Sequence, residues 1–344
     1  MIDIEKLKNW LNLERKVLVH HMDVDGSCSS ALFLKILDCE CVTLKDPHLD
    51  QGSIKEIVSK NPELIVFLDL SIDQDLEGVL KLKKELPETH IAIIDHHVIH
   101  NDLNKHGMLH INPHFEDEDS YIPASLLSFQ ILEEFGFNME PHMWISCLGT
   151  ISDYGHIKNK EFMDRCWKMY AEYLEAKDIF ESPFGKATKT IYSAIVYKGL
   201  YGTSYVIKTL KESENFEEFS KNPNLKKWQK AVDKEIEKLL KAFEKEKETH
   251  GKLLFFKLES KLGLSSIISN LTARKYPDKI IIIARESPDG WKISSRGPKT
   301  NVNLAEIMIK ATKGIGRGGG HPQAAGAMVS DIEEFKKRLI KAIS

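Results

Sequence analysis

Four short segments of this 344-residue chain gather carboxylates and imidazoles. HHMDVDG (20–26) offers His21, Asp23 and Asp25, with His20 beside them. FLDLS offers Asp69, IIDHH offers Asp95, His96 and His97, and TISDYG offers Asp153. Oxygen and nitrogen donors without cysteine suit manganese or a similar divalent ion, with magnesium or cobalt as alternatives, and speak against a structural zinc. Taken one at a time, an Asp after an apolar run caps a turn or helix, and a His pair is structural or exposed. Taken together, the uncompensated burial of so many charges would be costly, and a metal is the partner that compensates them. A second constellation lies in GRGGGHPQAAG (316–326). Its glycines, Gly318, Gly319 and Gly320, would let backbone N–H groups approach an anion, with Arg317 and His321 adding charge and donors. Arg296, with Asn270 and Arg274 on a preceding helical stretch, would complete a phosphate pocket through fork-like contacts. The plainer reading is a flexible turn and a solvated helix face.

Short Val- and Ile-rich runs, KVLVHH (16–21), ELIVFLDL (63–70) and THIAIIDHH (89–97), are separated by helical lengths and predict parallel strands with crossover helices. The first three chemical segments lie at the ends of such strands, where open α/β sheets form their ligand crevice. A helix is expected to begin near Ser27. GMLHINPH (107–114) predicts a further strand, and the spacing over 124–135 and 142–152 predicts helices, the second ending beside Asp153. From about 160 to 249 Gly and Pro are scarce, and KKWQKAVDKEIEKLLKAFEKEKETH reads as one long connecting helix. Beyond it KLLFFKLES, DKIIIIARE and WKISSRG predict strands, and SSIISNLTARKY and 331–342 predict helices. The fold class is therefore α/β, with a parallel-sheet domain over 1–220 that carries the carboxylate and imidazole segments, a helical connector over 221–249 and a smaller α/β domain over 250–344 that carries the glycine segment.

With 42% hydrophobic and 29% charged residues the chain reads as globular. No apolar run approaches the roughly 20 residues of a membrane span. The charged N-terminal stretch lacks the pattern of a signal peptide, so a cytoplasmic protein with no membrane partner is expected. A net charge of -3 leaves any nucleic acid to be held by local patches. The five cysteines, Cys28, Cys39, Cys41, Cys147 and Cys166, are odd in number and form no pair of CxxC spacings, so reduced thiols are expected. None sits beside a His in a nucleophile motif.

The set HMDVDG, FLDLS, IDHH and SDYG, in that order, resembles the motifs of the DHH superfamily of phosphoesterases. SSRG (294–297) and GRGGGHPQAAG resemble the DHH-associated C-terminal domain. The resemblance covers both ends of the chain but not residues 160–249. It implies two manganese ions held by Asp23, Asp25, Asp69, His96 and Asp153, with Asp69 bridging. Some members open the first motif with a His four residues before the first Asp. Here that position is Val19, and His21 is the ligand expected in its place, with His20 buried in the strand or serving as the ligand instead. Asp95 is expected to orient an imidazole through its second N–H. His97 is expected to contact phosphate or protonate the leaving group, the alternative being a partner of Asp23 or Asp25. Two ions roughly 3.5–4 Å apart would activate a shared water for direct in-line hydrolysis. The implied activity is release of mononucleotides from single-stranded or short RNA or DNA, by a RecJ-like exonuclease or an oligonucleotide hydrolase. The alternatives are a phosphoesterase for cyclic dinucleotides or phosphoadenosine phosphate, and a non-catalytic replication scaffold. A second copy of the chain and replication or repair proteins are the protein partners this reading admits. Lys186, Lys189, Tyr192, Tyr197 and Lys198 have the residue types of a strand-binding groove, and along the sequence they are no more clustered than chance gives.

Overall fold

The computed structural model describes residues 4–299 and 302–343; the outer limits of the expected domains, 1 and 344, lie outside the described residues. The chain forms two compact units, Met1–Gln229 and Lys230–Ser344. The first contains α1 (Glu5–Trp10), β1 (Lys16–His21), α2 (Val24–Ile36), β2 (Glu40–Leu44), α3 (Gln51–Ser59), β3 (Leu64–Leu68), α4 (Leu76–Glu85), β4 (His90–Ile94), β5 (Leu109–Ile111), α5 (Ala124–Glu134), α6 (Met143–Ser152), α7 (Lys160–Leu174), α8 (Pro183–Lys198), α9 (Leu200–Glu212) and α10 (Phe216–Ser220). The long helix α11 (Pro223–Glu246) crosses the boundary. The second unit continues with β6 (Glu248–His250), β7 (Leu253–Leu258), α12 (Ser265–Lys275), β8 (Ile280–Ser287), β9 (Gly290–Arg296), α13 (Leu304–Thr312), β10 (Gly316–His321), β11 (Ala324–Val329) and α14 (Ile332–Ile343).

The first sheet has the order β2-β1-β3-β4-β5 and every pairing in it is parallel. Both of its faces are covered, which is why its strands read as unbroken apolar runs. Leu18, Leu64, Val66, Leu68, Ala92 and Ile94 enter one core, and Val17, Val19, Ile65, Phe67, Ile91 and Ile93 enter the other. Helices α5 to α10 all contribute to the first of these cores, so the stretch before α11 belongs to the body of the first unit. The chain leaves β1 toward β2 and returns to β3 on its other side. That reversal opens a crevice at the carboxyl ends of β1 and β3.

In the second unit the order is β10-β11-β9-β8-β7-β6, antiparallel except for β7 with β8. Ile280, Ile282, Ala284 and Ile293 point to the core shared with α13 and α14, leaving alternate residues on the opposite face. The glycine run is neither a turn nor a loop. It forms β10, the edge strand, paired with β11 along its whole length. Gly318 suits the close approach of α13, because a Cβ there would lie 3.0 Å from the carbonyl oxygen of Met308.

Candidate functional site

The helix after β1 starts earlier than its sequence suggests. Asp23 is the N-cap of α2 and accepts the Gly26 N–H at 2.9 Å, so Asp25 sits inside the first turn. Gly26 permits this entry, since a Cβ there would collide with the carbonyl oxygen of His21. Asp69 follows β3 with a left-handed backbone (φ 58), and Tyr154, just after Asp153, has φ 59. Such backbone costs on the order of 1–3 kcal/mol and is held by its surroundings. The strain therefore falls beside the carboxylates that the sequence singled out.

His21 Nδ1 lies 2.9 Å from Asp23 Oδ2 and 3.7 Å from Asp69 Oδ2. His96 Nε2 lies 3.3 Å from Asp69 Oδ1 and 3.5 Å from Asp153 Oδ2. Donor atoms of Asp25, His96 and Asp153 come within 4.8 Å of one another, as do those of His21, Asp23 and Asp69, and those of Asp69, His96 and His97. Asp69 and His96 are each shared between two of these groups. Asp25 is buried and fixed by the N–H groups of Ala124 (2.7 Å) and Ser125 (3.2 Å) and by the Ser125 hydroxyl. Tyr121 donates to Asp153 Oδ2 at 2.7 Å and packs edge-on against His96.

His20 is fully buried, with its ring nitrogens 2.8 Å from the His21 carbonyl oxygen and 3.0 Å from Thr43 Oγ1. Burial pushes its pKa down to about 4. It is His21, not His20, whose ring faces the acidic group. Asp95 engages His97 Nδ1 at 2.8 Å, so the partner of His97 is Asp95 and neither Asp23 nor Asp25.

The electrostatics of this crevice are those of too many anions in too little water. Burial and the neighbouring carboxylates Asp69 and Asp153 push Asp25 well above the ordinary carboxyl range. Asp69 is raised to about 6, by burial and by Asp23. For the imidazoles burial works against the charged form, but the neighbouring carboxylates of Asp23 and Asp69 outweigh it and lift His21 to about 11. His96 rises against the same burial penalty to about 10, chiefly through Asp69. Asp69 Oδ2 is buried without a hydrogen-bond partner among the described residues. Oxygen and imidazole donors, surplus negative charge and an orphaned carboxylate oxygen together fit a divalent cation.

The second unit carries a pocket of about 650 Å³ on the sheet face that bears α12. Arg317, Gly318 and Gly319 line it, together with Arg285, Lys292 and Ser266. Arg285 Nε and Ser265 Oγ are buried there without hydrogen-bond partners among the described residues. Arg296 sits beside the pocket, donating to Asn270 Oδ1 (2.5 Å) and to Ser266 Oγ (3.1 Å), so this pair is joined to itself. Asn270, Arg274, Gly320 and His321 are not among the lining residues, and Arg274 is exposed. Sequence reasoning passed over Arg285 and Lys292. The signal for Arg285 was strand alternation, which puts it opposite Ile280, Ile282 and Ala284. Tyr121 and Ser125 had no motif to reveal them.

The pattern of the DHH family, N-terminal domain, matches residues 16–150, and that of the DHHA1 domain matches residues 251–344. No curated protein matches the chain in sequence. Among solved structures it is similar to a DHH-domain protein described as a member of the s1p family of ribosomal proteins, with a TM-score of 0.76 and 18% identity over 99% of this chain and 90% of that one. It is also similar to an exonuclease RecJ bound to manganese, with a TM-score of 0.71 and 15% identity over 99% and 94% of the two chains. For RecJ of Thermus thermophilus in complex with Mn2+ the TM-score is 0.73 and the identity 15%, over 99% of this chain and 55% of that one.

Proposed function

Because this chain belongs to the DHH superfamily and carries a DHHA1 domain at its C-terminal end, we propose that it hydrolyses phosphodiester bonds of single-stranded or short oligonucleotides and releases mononucleotides. The observation that carries this reading is the meeting of His21, Asp23, Asp25, Asp69, His96 and Asp153 in one crevice with more buried carboxylate than their neighbours neutralise. These six residues are the proposed ligands of divalent ions, manganese in our reading, with Asp69 between the groups. Bound there, such ions supply a water of lowered pKa and a counter-charge for the phosphate.

The chain's own residues have separable tasks. Ala124 and Ser125 hold Asp25, and Tyr121 holds Asp153. Asp95 occupies Nδ1 of His97, leaving Nε2 to give a proton to the leaving oxygen. Burial opposes the charged ring, yet the bond to Asp95 outweighs it and raises the His97 pKa, which suits an acid. In the second unit Arg285, Lys292 and Arg317 are the proposed grip on a nucleotide's phosphates. The volume of that pocket lies within the roughly 300–1,000 Å³ of small-ligand sites.

The test is incubation with manganese and 5'-labelled RNA and DNA strands of two to twenty-four nucleotides, beside an Asp69→Ala, Asp153→Ala variant. Stepwise release of mononucleotides by the wild type alone is the expected result, and it gives length preference and polarity directly. Manganese binding without strand cleavage would move the reading to cyclic dinucleotides or other small nucleotides. Loss of manganese binding as well would favour a scaffold.

A further inference from the structure

Lysines and aromatic rings that are scattered in sequence line up on the surface of the first unit. Tyr154, directly after Asp153, is 55% exposed, and its ring centroid lies 5.0 Å from that of Phe180. Phe180 lines a pocket of about 380 Å³ with Lys186, Lys189 and Lys226, where Glu181 is the single acidic residue among the described lining residues. Thr190 Oγ1 donates to Gln229 Oε1 at 2.7 Å, tying α8 to α11 along this face. Lys186 and Tyr197 are eleven residues apart on α8. That is about three turns, which puts them on one side of the helix roughly 16 Å apart. At that far end Lys198 Nζ lies 5.0 Å from the Tyr197 ring and 5.9 Å from the Trp228 ring. Tyr201, 63% exposed, packs edge-on against Trp228.

We propose that this path, from Tyr154 over Phe180 and the lysine pocket to Tyr197 and Tyr201, binds single-stranded nucleic acid and holds the part of a strand lying beyond the metal centre. It rests on the reading of the substrate as nucleic acid. Lysines spaced along a helix meet successive phosphates, and exposed rings offer faces on which unpaired bases stack whatever their sequence. A single strand is the one common polyanion that presents both phosphates and free base faces. Tyr192 plays no part, because its ring is packed against the core.

The test is fluorescence anisotropy of a labelled twenty-four-nucleotide strand with the full chain in chelator, where no cleavage competes. Lys186→Glu with Lys226→Glu should weaken binding at least about tenfold and lower the log–log salt slope by about 1.4, the value for two phosphate contacts. Tyr201→Ala, a surface change that leaves the core intact, should weaken binding about fivefold or more with the salt slope unchanged. Lys81→Glu with Lys84→Glu, on α4, makes the same change of net charge elsewhere and should leave binding within twofold. Equal losses from the two charge reversals, or no loss from Tyr201→Ala, would overturn the track. A wild type that binds the strand but cleaves none with manganese would sink the reading of the strand as substrate for hydrolysis and leave the track standing. One that binds no strand would sink the track even if it cleaves dinucleotides.

Discussion

In the first unit the chemistry-bearing groups are buried or half-buried and predominantly acidic, and four of the carboxylates are held by a backbone device: an N-cap at Asp23, a left-handed turn at Asp69, a strand end at Asp95 and a helix end at Asp153. In the second unit Arg285, Lys292 and Arg317 project from a sheet face into an open pocket. The contrast teaches where each site is vulnerable. A crevice of mutually repelling carboxylates has no spare member once a cation is seated, whereas a pocket of cations in partial contact with water loses one contact at a time.

The largest effect should come from Asp69→Asn. Asn tolerates the left-handed backbone nearly as well as Asp, so the substitution removes charge without reshaping the turn. Turnover should fall on the order of a thousandfold or more, about 4 kcal/mol of barrier. The metal-free variant should melt no lower than wild type, since burial and the neighbouring Asp23 disfavour the charge that the amide lacks. A variant that melts well below wild type in chelator would break the picture of an overcharged crevice. In the second unit Arg317→Ala and Arg285→Ala should each raise KM about tenfold with turnover changed less than about threefold, as expected for loss of one charge-assisted contact. Turnover losses as large as those from Asp69 would erase the contrast between the sites.

A smaller effect follows from protonation. His21 and His96 have folded-state pKa values near 11 and 10 against an ordinary 6.5. Between about pH 7 and those values the folded metal-free protein binds more protons than the unfolded chain. Its stability should therefore fall as pH rises through that window. Melting curves in chelator from pH 7 to 10 should show the decline, and saturating manganese should flatten it, because a cation takes over the role of the protons. A flat profile in chelator would mean that the imidazoles are not the counter-charge of the crevice.

Strand ends were legible because parallel strands buried on both faces write themselves as apolar runs, and a charged residue ending such a run stands out. Asp69 after LIVFL and Asp95 after HIAII are examples. Strand β2 was not legible. ECVTL is short and half exposed at the sheet edge, so its pattern is weak. The glycine run was read for its chemistry but not for its structure, since glycine disfavours strands and only pairing with β11 fixes β10. Tyr121 and Ser125 were invisible for a further reason. Their importance comes from contacts made across the fold, as when Ser125 reaches Asp25 a hundred residues away, and a single sequence carries no mark of such contacts.

The smallest effect separates two adjacent glycines. Gly318 faces α13, where an added Cβ would lie 3.0 Å from the Met308 carbonyl oxygen, so Gly318→Ala should destabilise the second unit by about 1 kcal/mol through overpacking. Gly319 points the other way, into the pocket, and a Cβ there would meet nothing within 4 Å. Its backbone φ is not in the left-handed range, so neither packing nor conformation requires glycine. Gly319→Ala should therefore leave the melting temperature unchanged or raise it slightly, by the few tenths of a kcal/mol that reduced freedom of the unfolded chain provides. If the bare backbone exists for a phosphate to approach, the same variant should raise KM several-fold at unchanged stability. An unchanged KM would mean that the ligand rests on the arginines alone, and that the open space above Gly319 is not part of the grip.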